Sequence, residues 1–158
     1  MRKLKLYLET TIFNYYFDED RDAHKSTVQL FEEIKQGKYY AYTSPYVTDE
    51  LEECDEPKKS KMITLIKEYN IIMLKTNNEV DRLADTYIKE KMIPENSEYD
   101  SLHIAVASIN DLDMIVSLNF NHINRIRTKD LVELINKKEG YKGITIVSPM
   151  EVVGDEKT

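Results

Sequence analysis

One cysteine, no tryptophan, four glycines and four prolines are all that the 158 residues hold of the types that usually staple, punctuate or bend a chain. A lone Cys54 excludes an internal disulfide, so a packed core must hold the fold. So few glycines and prolines leave no linker and no low-complexity tract, and no internal repeat is present. No apolar run approaches the roughly 18 residues that a membrane span needs. The opening MRKLKLYLETT reads as a strand where a signal peptide would carry a continuous apolar stretch, so a cytoplasmic protein is expected. Positive charge is also in the minority, with 22 basic against 29 acidic residues and a net charge of −7. A polyanionic partner therefore has to meet a local basic patch, because the overall field repels it. This length suits one domain, expected over 1–153 with a frayed tail at 154–158, and it suffices to bury roughly 70% of the unfolded chain's surface.

What the chain does have is a regular alternation of short apolar strands and amphipathic helices. The most informative stretch runs from Ser97 to His122. Leu102, Ala105, Val106 and Ile109 recur at helical spacing, Asn110 to Asp113 are turn formers, and Met114 to Leu118 is a continuous apolar run, as in a strand covered on both faces. Further strands are expected at Leu4 to Leu8, Tyr39 to Thr43, Ile71 to Leu74 and Ile144 to Val147. Helices are expected over His24 to Gln36, stopped by Gly37, and over Pro45 to Cys54, capped by Ser44. Others follow Pro57, follow a Thr76 to Glu79 capping box, and cover Thr128 to Lys138. The aromatic run Ile12 to Phe17 leads into a charged segment, 18–22, expected to be a mobile loop. Five such strands interleaved with helices predict a three-layer α/β/α domain around a five-stranded parallel sheet.

In sheets of this kind ligands bind outside the carboxyl ends of the strands, where strand order reverses. Glu9 follows the first strand, Glu50 lies just after the second, Asp100 opens the helix before the fourth, and Asn119 follows the fourth. Each also has a plainer role available. Ser97 to Asp100 has capping-box spacing, Glu50 sits in the acidic run DELEECDE, and Asn119 suits a left-handed loop position. His103 reads as a hydrogen-bonding histidine and His24 as a surface one. Three carboxylates meeting at one rim repel one another, and a divalent cation removes that penalty. Hard oxygen ligands without a Cys/His pattern favour Mg²⁺ or Mn²⁺ held by Glu9, Glu50 and Asp100.

Four pieces, LYLETTIFNYYF, SPYVTDEL, YDSLHIAVA and DMIVSLNFNHI, stand in an order that resembles the PIN domain, the family of metal-dependent ribonucleases that includes VapC-type toxins of toxin-antitoxin pairs. The resemblance spans nearly the whole chain. It implies an RNA phosphodiester substrate, an antitoxin partner, and catalytic positions at Glu9, Glu50, Asp100 and Asn119. The family generally has Asp where Glu9 stands and often Asp where Asn119 stands, so one site is a methylene longer and another has lost its charge. Thr10 and Thr11 beside Glu9, and His122, Arg125 and Arg127 after the fourth site, are the candidate substrate contacts. Lys58, Lys59, Lys61 and Lys129 are further cations near the rim. The aromatics of IFNYYF suit base stacking or a protein interface, and as an exposed apolar cluster they predict a homodimer or an antitoxin contact. The alternative is a PIN-like module that binds RNA or protein without cutting. A phosphoacceptor receiver domain would want Asp after the third strand and Lys after the fifth, where this chain has Leu74-Lys75 and Val147-Ser148.

Overall fold

The structure, a computed structural model, describes residues 2–154. Five parallel strands form one sheet in the order β3-β2-β1-β4-β5, with β1 Leu4–Leu8, β2 Tyr39–Thr43, β3 Ile72–Met73, β4 Met114–Val116 and β5 Thr145–Val147. Among the described residues eight helices connect and cover them: α1 Thr10–Phe17, α2 His24–Lys35, α3 Pro45–Glu52, α4 Lys58–Glu68, α5 Asn78–Lys89, α6 Glu98–Ile109, α7 Ile126–Glu139 and α8 Pro149–Val152. The expected three-layer α/β/α arrangement is thus what the chain adopts. β1 lies at the centre because Leu6, Tyr7 and Leu8 are all fully buried, paired with Ala41 and Tyr42 on one side and with Met114, Ile115 and Val116 on the other. From β1 the chain builds outward through β2 and β3, then returns to build β4 and β5 on the opposite flank. The reversal falls between β1 and β4, and the ends of these strands carry Glu9 and Asn119.

Several elements differ in detail from the sequence expectation, each for a local reason. The third strand shrinks to two residues because it is an edge with exposed side chains, held to β2 by the Leu74 N–H donating to the Thr43 carbonyl at 2.8 Å. The cap of α5 is Asn77, whose side chain accepts from Val80 N at 3.1 Å, and not the Thr76 box. Asn77→Ala is expected to lower stability by about 1 kcal/mol, read as a shifted urea midpoint at unchanged slope. With glycine scarce, Asn70, Lys91 and Asp111 take the left-handed conformation just beyond α4, α5 and α6, whereas Gly37 and Gly140 serve α2 and α7.

The aromatic run is a helix folded inward. Ile12 and Phe13 are fully buried, and Tyr16 and Phe31 stack edge-on at 4.9 Å between centroids while Phe31 meets Tyr69 at 5.0 Å, fastening α1 to α2 and to the end of α4. The exposed apolar face on which the homodimer expectation rested is therefore not there. The charged segment after it is also tied down, by an Asp18–Lys58 ion pair at 2.8 Å. At the other end Gly154, expected to begin the frayed tail, donates its N–H to the Glu33 carboxylate and accepts from Gln29. The rest of that tail, 155–158, lies outside the described residues. Among the described residues no helix is long and apolar enough to cross a membrane.

Candidate active site

The rim at the carboxyl ends of β1, β2 and β4 gathers Glu9, Glu50, Asp100 and Asn119 into two linked halves. In the first half Glu9, 3% exposed, stands at the N-cap of α1, where its Oε1 accepts from Thr11 Oγ1 at 2.6 Å and from Ser117 Oγ at 2.7 Å. Thr11 in turn accepts from Leu118 N at 2.8 Å, so one hydroxyl ties the Glu9 carboxylate to the strand end of β4. Glu50 projects from α3, and its Oε1 receives Thr10 Oγ1 at 2.5 Å and His103 Nε2 at 2.6 Å. In the second half Asp100 Oδ1 accepts from Asn119 Nδ2 at 3.1 Å, and Asp100 Oδ2 meets His122 Nδ1 at 2.8 Å. Asn119 Oδ1 accepts from the His122 N–H at 3.0 Å and closes that loop.

Asp100 is thus not a capping residue. Ser97 makes no side-chain cap bond, and both oxygens of Asp100 turn to the loop after β4. Its helix position supplies the reason: one turn further along α6, His103 points into the same rim. His103 is fully buried and bonded through both ring nitrogens, with Nδ1 2.6 Å from the Tyr7 hydroxyl, which is itself 2.7 Å from Ser44 Oγ. Ligand atoms of Glu9, Glu50 and His103 lie within 4.8 Å of one another, a group that does not include Asp100. Sequence reasoning placed a hydrogen-bonding histidine here but missed its place between the two glutamates. The available signal was its three-residue offset from Asp100 on an otherwise apolar helix.

The charges settle one another. Burial alone would push His103 down, but its bond to Glu50 and the charges of Glu50, Glu9 and Asp100 outweigh this and raise its pKa. Burial would push Glu50 up, yet His103 and Thr10 hold it below its ordinary value. Glu9 goes the other way: burial raises it, with help from the Glu50 charge, and His103, Thr11 and Ser117 offset only part. These shifts carry a pH dependence. A raised His103 stabilises fully below its ordinary 6.5 and loses that contribution as pH climbs through its folded value. A lowered Glu50 stabilises above its ordinary 4.5 and loses that as pH falls through its folded value, while ionising Glu9 costs stability upward of the same 4.5. In EDTA the melting temperature is therefore expected to decline as pH rises past the His103 transition. Thermal unfolding from about pH 5 to about pH 9 checks this, and His103→Gln should flatten the alkaline limb.

The remaining sequence candidates fall into two groups. Thr10, Thr11 and His122 stand in the site, as the bonds above show. Arg125 and Arg127 do not reach the carboxylates. Arg125 donates to Thr128 Oγ1 and the Met92 carbonyl, and Arg127 to the Lys91 carbonyl, so both hold α7 to the chain leaving α5. Lys58 is engaged with Asp18. On the α3 side, Asp49, Glu52 and Glu53 surround Glu50, with Tyr99 donating to Asp49 at 3.2 Å, so that wall of the site is acidic.

The order of the strands and the helical layers are shared with a solved structure, and the likeness is one of fold. A chain in the crystal structure of VapBC2 from Rickettsia felis, bound to a DNA fragment from their promoter, is similar over 92% of this chain and 98% of its own, with a TM-score of 0.56 and 14% sequence identity. No protein-family model and no curated protein sequence matches the chain.

Proposed function

We propose that the protein is a divalent-metal-dependent ribonuclease and the toxin half of a toxin-antitoxin pair. The observation that carries the reading is the division of labour at the paired glutamates. Each spends Oε1 on protein donors, while Oε2 of Glu9 and of Glu50 takes no hydrogen bond from a described residue. Two carboxylate oxygens free at the rim fit a hard cation such as Mg²⁺ or Mn²⁺, and Asp100, outside the close group of Glu9, Glu50 and His103 and held by Asn119 and His122, would have to turn toward the ion to serve as the third oxygen donor. When bound, the ion supplies Lewis-acid charge for a phosphate and a more acidic water. The chain's own groups do the positioning. Thr11 and Ser117 fix Glu9, and Thr10 with His103 Nε2 fixes Glu50. Asn119 holds Asp100 through its amide, and His122 Nδ1 lies 2.8 Å from the other Asp100 oxygen, which fixes the His122 ring beside the rim. An antitoxin partner is proposed from the likeness to a VapBC2 structure and rests on the fold alone.

A second reading has its own observation. His103 already bonds Glu50 and Asn119 brings a neutral donor to Asp100, so part of the carboxylates' demand is met without an ion, as in a PIN-like module that binds without cutting. Cleavage of single-stranded RNA in Mn²⁺ against EDTA separates the two: metal-dependent cuts support the nuclease, and their absence supports the module.

A further inference from the structure

A groove opens beside the site, lined by Tyr15 of α1, Arg21 and Asp22 of the following segment, Leu118 and Phe120 of the loop after β4, and Met150 of α8. Phe120 is 58% exposed and Met150 66% exposed, an unfavourable place for large apolar side chains unless something covers them. The groove is continuous with the candidate active site through the chain itself. Leu118 bonds Thr11, which holds Glu9, and Phe120 follows directly on Asn119, which holds Asp100.

We propose that this groove is a base-stacking subsite, taking one unpaired nucleobase of the RNA next to the bond that is cut. The inference rests on the ribonuclease reading and extends it to how substrate is gripped. Three observations favour a base as the occupant. The cavity is about 340 Å³, at the small end of ligand pockets, which suits one ring system and not a helix some 10 Å across. Its walls carry the Tyr15 and Phe120 rings and the Met150 thioether beside aliphatic Ala23, Leu118 and Pro149, and the two rings are surfaces on which a base stacks whatever its identity. Arg21 lies over the Tyr15 ring at 5.3 Å and brings one cation for a backbone phosphate, in an otherwise acidic segment whose Asp22 lines the same groove. Arg21 and Asp22 together offer a donor and an acceptor for base edges, the means by which stacking acquires sequence preference.

The test uses the full chain in Mn²⁺ with single-stranded RNA oligonucleotides, each also made with an abasic residue at successive positions around the cut. Loss of one stacked base costs about 1–3 kcal/mol, which is roughly 5- to 150-fold in affinity. Wild type should show a penalty of that size at one abasic position. Phe120→Ala should raise KM by a similar factor on intact RNA with little change in kcat, and should no longer sense the abasic position, whereas Phe120→Trp should restore both. Thermal unfolding checks that the variants fold, and the abasic scan on wild type stands alone if they do not. An even abasic profile, or Phe120→Ala with unchanged KM, overturns the subsite. So does a variant whose only change is loss of a dimer in sedimentation, since the groove would then serve a protein contact. Wild type that cuts no RNA overturns the nuclease reading and this one with it, whereas cutting that ignores Phe120 overturns this one alone.

Discussion

Glu9→Gln is expected to abolish RNA cleavage while leaving the protein at least as stable as its parent in metal-free buffer. Glu9 is ionised at a cost: it is almost fully buried, burial pushes its pKa up, and Glu50 adds repulsion. Glutamine keeps an acceptor oxygen for Thr11 and Ser117 and removes the charge. The fold should gain about 1 kcal/mol, some 2–4 °C in melting temperature for a chain of this size. Function should move the opposite way. A cation loses one of its carboxylates, so cleavage should drop on the order of 100-fold or more, and the rise in melting temperature on adding Mn²⁺ should shrink or vanish. This opposition of stability and activity is what a site selected for charge predicts. If Glu9 were merely a capping carboxylate, the variant would lose stability and keep any cleavage.

His103→Gln is expected to have a large effect of the reverse sign on the fold. His103 is fully buried between the Tyr7 hydroxyl and Glu50, and a glutamine side chain satisfies one of those partners and not both. Removing one member of such a pair leaves Glu50 or the Tyr7 hydroxyl short of a partner, with only Thr10 or Ser44 remaining to it, a loss of about 3 kcal/mol, or roughly 6–12 °C. The response to Mn²⁺ then separates two roles for the histidine. As a counter-cation it competes with metal, so its loss should enlarge the Mn²⁺-induced rise in melting temperature. As a ligand grouped with Glu9 and Glu50 it would be needed for that rise, and the rise should disappear.

Much of this architecture was legible in the chain because local and global signals agree. Leu4 to Leu8 and Tyr39 to Thr43 appear with the bounds expected, since β-rich composition, flanking caps and burial point the same way. The strand order placed Glu9 beside Asn119, and with them Asp100 and Glu50. What stayed illegible depended on contacts across the fold. IFNYYF has the composition of an exposed interface, and only the approach of Phe31 and Tyr69 makes it core. Arg125 and Arg127 look like an RNA-facing pair, and only the fold shows that each also spends a donor on a carbonyl, of Met92 and of Lys91. Ser97 and Asp100 fit a capping pattern that two partners 19 and 22 residues away override. His103 shows the limit most plainly. Its burial follows from helix periodicity, but its bond to Glu50 spans 53 positions in sequence and comes from the sheet bringing α3 to α6.

The most direct test of the central claim is cleavage of single-stranded RNA by the wild type and by Glu9→Gln, each in Mn²⁺ and in EDTA, with thermal unfolding recorded in the same four conditions. The account predicts cleavage in one condition only, wild type with Mn²⁺, accompanied by a raised melting temperature there and by a Glu9→Gln protein that melts no lower than wild type in EDTA. Wild type whose melting temperature ignores Mn²⁺, or RNA cut equally well in EDTA or by the variant, would contradict it.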